Sequence, residues 1–159
     1  MSTAARIDIR PNYVLLVLFL LVVIGVGGLI GVNTAPREWY ASLAKPPLNP
    51  PNWLFAPVWF ALYVLIAIAG WRVATRMPRS PAMALWIAQM GLNWLWSPVF
   101  FSLHLLWPAG VIILAMLATI LAFIALTWRI DRPSALMFVP YALWVSFASL
   151  LNLGIAILN

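Results

Sequence analysis

Five apolar runs decide what this chain can fold into. Tyr13 to Val32, Leu54 to Val73, Ala82 to Leu103, Pro108 to Trp128 and Ser134 to Leu158 carry no charged residue in their interiors. Each is long enough to cross a bilayer core of about 30 Å, which takes roughly 20 helical residues. Of all residues, 65% are hydrophobic and 8% charged, against about half and about a quarter in a soluble domain. So much apolar surface has no stable place in water. The pattern predicts an all-α, multi-pass integral membrane protein: a five-transmembrane-helix bundle in one domain, 1–159, with helices near 13–32, 54–73, 82–103, 108–128 and 134–158 and a loop over 33–52.

The formal charge is +6, yet the basic residues sit at the ends of the apolar runs and form no stripe of the kind that binds nucleic acid. Five crossings put the termini on opposite sides. One side then collects Arg6, Arg10, Arg72, Arg76, Arg79, Arg129 and Arg132, and the other only Arg37 and Lys45. The positive-inside rule places the N-terminus in the cytoplasm and the first loop and C-terminus outside it. The first run exceeds a signal-peptide core of about 7–15 residues and lacks an A-x-A site, so it is expected to be retained. Cysteine is absent, which excludes disulfides, thiolate metal sites and a cysteine nucleophile.

The stretch from Trp39 to Tyr63 holds two Pro-Pro pairs, Pro46-Pro47 and Pro50-Pro51, with Lys45 and the tryptophans Trp39, Trp53 and Trp59. Paired prolines fix φ and remove amide donors, so this backbone is neither helix nor strand. They also push the preceding residues toward extended conformations. A stiff cover over a cavity is expected here, where a linker would be rich in Gly and Ser. Thr34, Pro36 and Glu38 read as the start of a short interfacial helix through Ala44, anchored by Trp39 and Tyr40.

Helical spacing sorts the remaining candidates. On the second run Trp59 and Tyr63 are one turn apart. On the third, Gln89, Asn93, Trp96, Ser97 and Phe100 share a face, opposite Ala84, Ala88 and Gly91. Buried amides need protein or cavity partners, and small residues admit another helix, so the Ala84–Ala88–Gly91 face is a candidate homodimer interface. Structural hydrogen bonding accounts for Gln89 and Asn93 as readily as ligand contact. Pro98 should kink this helix. Gly27-x-x-x-Gly31 on the first run reads as packing within the chain ahead of a dimer seam. Ala115, Ala118, Ala122 and Ala125 form a packing face on the fourth run. His104, the single histidine, reads as an interfacial residue ahead of an iron ligand. On the fifth, Tyr141, Trp144, Ala148 and Asn152 align.

Taken together, W-Y-A-S-L-A-K-P-P-L-N-P-P-N-W-L-F-A-P-V-W-F-A-L-Y from Trp39, Asn93-Trp94-Leu95-Trp96-Ser97 with Phe100-Phe101, and Val139-Pro140-Tyr141-Ala142-Leu143-Trp144 with Leu151-Asn152 closely resemble the TspO/MBR family. These are the tryptophan-rich sensory proteins of bacteria, related to the mitochondrial translocator protein. The resemblance implies a five-helix bundle, often a homodimer, with a cavity under the first loop that takes porphyrins such as protoporphyrin IX and haem, and hydrophobic synthetic ligands. It implies that Trp39, Tyr40, Trp59, Asn93, Trp96, Trp144 and Ala148 line or close the cavity. Tyr63, Phe100 and Tyr141 join them as expected ligand contacts on their shared faces. Trp59 and Trp144 match the pair linked in some relatives to light-dependent porphyrin breakdown. Leu153 stands where the family's cholesterol-recognition pattern has tyrosine, and no basic residue follows it, so sterol recognition through that motif is not expected.

The runs hold no paired carboxylates, metal-ligand cluster or Ser-His-Asp set, so hydrolytic or metal-assisted chemistry has no candidates and no cofactor is required. An aromatic, uncharged cavity bounded by amides suits a large planar ligand, with Arg37 and Lys45 placed to meet its carboxylates. A membrane receptor or regulator for porphyrins is the leading expectation. Photo-oxidative degradation comes second and transport third, since no internal repeat is evident.

Overall fold

Helices form over the apolar runs and stop at residues that can end them. The structure, a computed structural model, describes residues 12–159; Arg6 and Arg10 of the topology argument lie outside the described residues. Helix α1 spans Tyr13–Asn33, its first turn capped by Asn12, whose side chain accepts from the Leu15 amide at 3.1 Å. A short α2, Glu38–Ser42, and a nonhelical proline segment follow, then a 3₁₀ turn, Asn52–Leu54, that feeds α3, Phe55–Arg76. Helix α4 covers Pro81–Ser97, with Ser80 as its cap and Pro81 at the position where a missing amide costs least. Helices α5, Leu106–Ile130, and α6, Arg132–Leu158, are joined at the single residue Asp131. Among the described residues there is no strand.

Among the described residues, four helical segments are long and apolar enough to cross a membrane: α1, α3 with its leading 3₁₀ turn, α5 and α6. The third apolar run is divided. Its α-helical part ends at Ser97, and Pro98–Ser102 continues as a π turn closed by Leu103 N–H donating to the Pro98 carbonyl at 3.0 Å. Proline cannot supply the amide that a regular turn needs, and a widened turn is one way the helix absorbs that loss. The change of turn falls at Pro98, where the sequence predicts an interruption of the regular helix.

Contacts at the helix ends show the chain running back and forth. At one end, Trp71 Nε1 of α3 donates to the Asn12 carbonyl at 2.9 Å, and Arg72 and Arg76 reach Asp131. At the other, Thr34 meets Ser97 at 2.6 Å, and Ala44 and Asn159 exchange hydrogen bonds of 3.0 Å. Helix α5 packs mainly on α6 and α4, and α3 on α1 and α6. In lipid such packing rests on shape fit and hydrogen bonds. Phe123 stacks on Phe138 at 4.1 Å, and the Trp86 indole fills the place of a side chain at Gly70 while donating to the Ile66 carbonyl at 2.9 Å.

Two expectations are corrected. The face of α5 buried in the bundle is Ala109, Gly110, Ile113, Met116, Ile120, Phe123 and Thr127; Ala115, Ala118, Ala122 and Ala125 are exposed, because the larger side chains fill the interior. Thr34 does not open α2. Its hydroxyl donates to the Ile30 carbonyl at 2.8 Å and ends α1, so α2 begins at Glu38 without a side-chain cap.

Candidate functional site

A chamber of about 510 Å³ lies between α1, α3 and α4, within the range of small-molecule pockets. Alpha1 contributes Ile24, Gly27, Gly28, Ile30, Gly31 and Val32, and the chain leaving it adds Thr34, Ala35 and Pro36. The opposite walls are Phe55, Trp59, Phe60 and Tyr63 of α3 and Asn93, Trp96 and Ser97 of α4, with Phe101 of the π turn. Glycines make this space. Gly28 and Gly31 face openings in which an added Cβ meets nothing within 4 Å, whereas one at Gly27 would overlap the Tyr63 ring. The glycine run was expected to serve helix packing; Gly27 does so, and Gly28 and Gly31 form a chamber wall.

A polar chain leads inward from the chamber. Tyr63 Oη donates to Asn93 Oδ1 at 3.0 Å, and Asn93 Nδ2 donates to Tyr141 Oη at 2.9 Å. Tyr141 donates to Gln89 Oε1 at 2.9 Å, and Gln89 Nε2 to the Trp86 carbonyl at 2.9 Å. The structural alternative weighed for Gln89 therefore holds: it is fully buried and bonds between helices. Trp96 Nε1 donates to Asn152 Oδ1 at 3.0 Å while Asn152 Nδ2 donates to the Leu106 carbonyl at 2.9 Å, which ties α4, α6 and α5 together.

Of the expected ligand contacts, Trp59, Tyr63, Asn93 and Trp96 line the chamber. The others stand back from it. Tyr141 is fully buried behind Asn93. Ala148 is buried on α6. Trp144 does not line the chamber and touches its wall through Phe55, ring to ring at 5.9 Å. Phe100 is buried against Trp96 and Phe101. Tyr40 packs on Phe100 and Phe101, and its hydroxyl donates to Asn49 Oδ1 at 2.8 Å. Burial pushes that hydroxyl's pKa up, against the smaller effect of Asn49. Trp39 stacks on His104 at 3.9 Å, and both border a second, outer recess with Arg37 and Glu38. His104 is exposed, as expected, but its φ of 59° is unusual for a residue with a side chain. Ala84, Ala88 and Gly91 are exposed on the outer face of α4.

The proline segment docks on the end of α6. Pro46 occupies the space a side chain at Gly154 would need, beside the Ala44–Asn159 pair. Pro36 and Asn52, on either side of it in sequence, reach the chamber wall. Lys45 does not stand free at a mouth: its Nζ donates to the Ala41 and Leu43 carbonyls at 3.1 and 2.9 Å and lies over the Tyr40 ring. Carbonyls left over at the end of α2 attract such a cation.

Far from the chamber, Asp131 holds the bundle's other end. It accepts from Arg72 Nε at 3.1 Å and from Arg72 Nη2, from Arg76 Nη1 at 2.8 Å, and from the Ser134 hydroxyl. Burial alone would raise its pKa, but the two guanidinium groups and Ser134 hold it below the usual carboxylate range. Sequence reasoning counted Arg72 and Arg76 as topology signals and passed over Asp131.

Comparison with known proteins agrees with the sequence resemblance. The family model described as TspO/MBR family matches residues 16–158. The chain is 37% identical to protein CrtK of Rhodobacter capsulatus over 136 residues, 83% of this chain and 85% of that one. It is 35% identical to a tryptophan-rich sensory protein of Cereibacter sphaeroides, covering 81% and 82%. It is 34% identical to the translocator protein of Ovis aries, covering 79% of each. With matches spanning nearly the whole of the helical bundle, the chain belongs to the TspO/MBR family.

Proposed function

We propose that this protein is a membrane receptor or regulator that binds porphyrins, such as protoporphyrin IX and haem, and related planar hydrophobic ligands in the chamber between α1, α3 and α4. The observation that carries the reading is the wall itself: Trp59, Tyr63 and Trp96 offer aromatic rings, Asn93 an amide, and Gly28 and Gly31 the width. Aromatic faces and a few fixed polar groups suit a flat ligand. Arg37, exposed at the outer recess beside Trp39 and His104, is placed to meet a ligand carboxylate.

The fifth crossing in this reading is α4 with its π turn. The arginines at the Asp131 end then face the cytoplasm, and α2, the proline segment and the C-terminus face away from it. The exposed Ala84–Ala88–Gly91 face is the homodimer surface we put forward. Photo-oxidative breakdown of the porphyrin needs Trp59 and Trp144 together at the ligand; Trp59 lines the chamber and Trp144 does not, so binding is the reading we favour over catalysis. Titrating the protein in lipid nanodiscs with protoporphyrin IX tests it. Saturable quenching of tryptophan fluorescence, reduced in Trp59→Phe and Trp96→Phe, is expected; linear, unsaturable quenching would count against a site.

A further inference from the structure

The chamber wall has a hydrogen-bond polarity, and it is set at the far end of the chain of groups behind it. The Trp86 carbonyl can only accept, so the Gln89 amide turns its nitrogen to it and its oxygen to Tyr141. That oxygen also can only accept, so Tyr141 donates to it and is left to receive the Asn93 nitrogen. The Asn93 oxygen then faces Tyr63, whose one hydroxyl proton goes to it. The Tyr63 ring is held against Gly27 and lies 5.5 Å from Trp59, and Tyr63 and Asn93 both line the chamber, so the hydroxyl that joins them lies at its wall. Toward the chamber it presents lone pairs alone.

We propose that Tyr63 is a specificity-determining residue. It selects planar aromatic ligands that bring an N–H or O–H to this part of the wall and disfavours those that bring a carbonyl or ether oxygen. The inference rests on the ligand-binding reading of the chamber. An acceptor placed against Tyr63 loses its bond with water and gains none in return, whereas a donor replaces it. The same logic makes the preference adjustable from a distance. Gln89→Leu removes the oxygen acceptor that fixes the direction and leaves Tyr141 only the Met116 sulfur at 3.3 Å, a weak acceptor that an amide oxygen outcompetes. Tyr141 then donates to Asn93 once that amide turns over, Asn93 donates to Tyr63, and the Tyr63 proton is released toward the chamber.

Carbazole and dibenzofuran, flat and nearly isosteric, differ in an N–H against a ring oxygen and make the probe pair. Each is competed against protoporphyrin IX on the full-length protein in detergent. Wild type is expected to favour carbazole about tenfold, the effect of one hydrogen bond gained or lost. Tyr63→Phe should bring the preference close to one, and Gln89→Leu should shift it toward dibenzofuran. If protoporphyrin IX does not bind, the chamber reading falls and this inference with it. If it binds and the two compounds displace it equally or not at all, or if Tyr63→Phe keeps the preference, this inference alone falls. Should Gln89→Leu not fold, the infrared C–O band of Tyr63 in the ligand-free protein, identified by difference from Tyr63→Phe, decides: a donating hydroxyl supports the assignment and an accepting one overturns it.

Discussion

Gly27→Ala perturbs the chamber at its tightest contact. The added methyl would overlap Cε2 and Cζ of the Tyr63 ring. A flexible side chain would swing aside, but this ring is bound through its hydroxyl to Asn93 and packs on Trp59. Either the Tyr63–Asn93 bond breaks or α1 moves off α3. Overpacking of this kind costs about 1–3 kcal/mol, and the lost hydrogen bond about 1 kcal/mol more. The better helix propensity of alanine offsets up to about 1 kcal/mol. The net destabilisation is about 1–3 kcal/mol, or roughly 2–12 °C in midpoint at about 2–4 °C per kcal/mol. Gly31→Ala is the control, since its Cβ meets nothing within 4 Å; its midpoint should stay level or rise slightly. Thermal unfolding in detergent, followed by near-UV circular dichroism, makes the comparison. Equal midpoints for the two variants would refute the clamp between Gly27 and Tyr63.

Asp131→Asn leaves Arg72 and Arg76 without their shared carboxylate. The aspartate side chain is 1% exposed but the arginines are 18% and 49% exposed, so solvent screening reduces the loss to about 1–3 kcal/mol, read as a lower unfolding midpoint. Because the folded Asp131 pKa is depressed, its contribution is complete well above the ordinary value of about 3.9 and fades as pH falls through the lower folded value. Wild type should therefore lose stability on acidification in that window more steeply than Asp131→Asn; parallel curves would contradict the assignment. Trp96→Phe leaves Asn152 Oδ1 without its indole donor and should cost about 1–2 kcal/mol in the same unfolding assay. Lys45→Met removes the bonds to the Ala41 and Leu43 carbonyls, and limited proteolysis should cut the 43–51 segment faster while the bundle's midpoint changes by less than about 1 kcal/mol.

Uncharged apolar runs located the helices, and helical spacing located the Asn93–Trp96–Ser97 face, because amides and indoles among aliphatics mark the side that must find partners. It missed what lies across from that face. Gly28 and Gly31 act by having no side chain, and a search for chemistry-bearing residues passes over such positions. Trp144 and Ala148 share a helical face with Tyr141, but spacing along α6 does not say which neighbouring helix that face meets. The α5 alanines were misplaced for a related reason: in lipid both faces are apolar, so hydrophobicity alone does not separate inside from outside. Asp131 was passed over because its partners lie 59 and 55 positions away, and only the fold brings them together. The family was legible because its motifs are dense in Trp, Pro and Asn, residues whose spacing is hard to reach by chance in an apolar chain.

The most direct measurement is protoporphyrin IX affinity in wild type and in Gly31→Leu. Leucine at this position extends into open chamber space without striking the fold at its Cβ, so it occupies the volume a ligand would take. Saturable binding in wild type that weakens at least about tenfold in a folded Gly31→Leu protein is the predicted result. Unchanged affinity in that variant would place the ligand elsewhere and contradict the account.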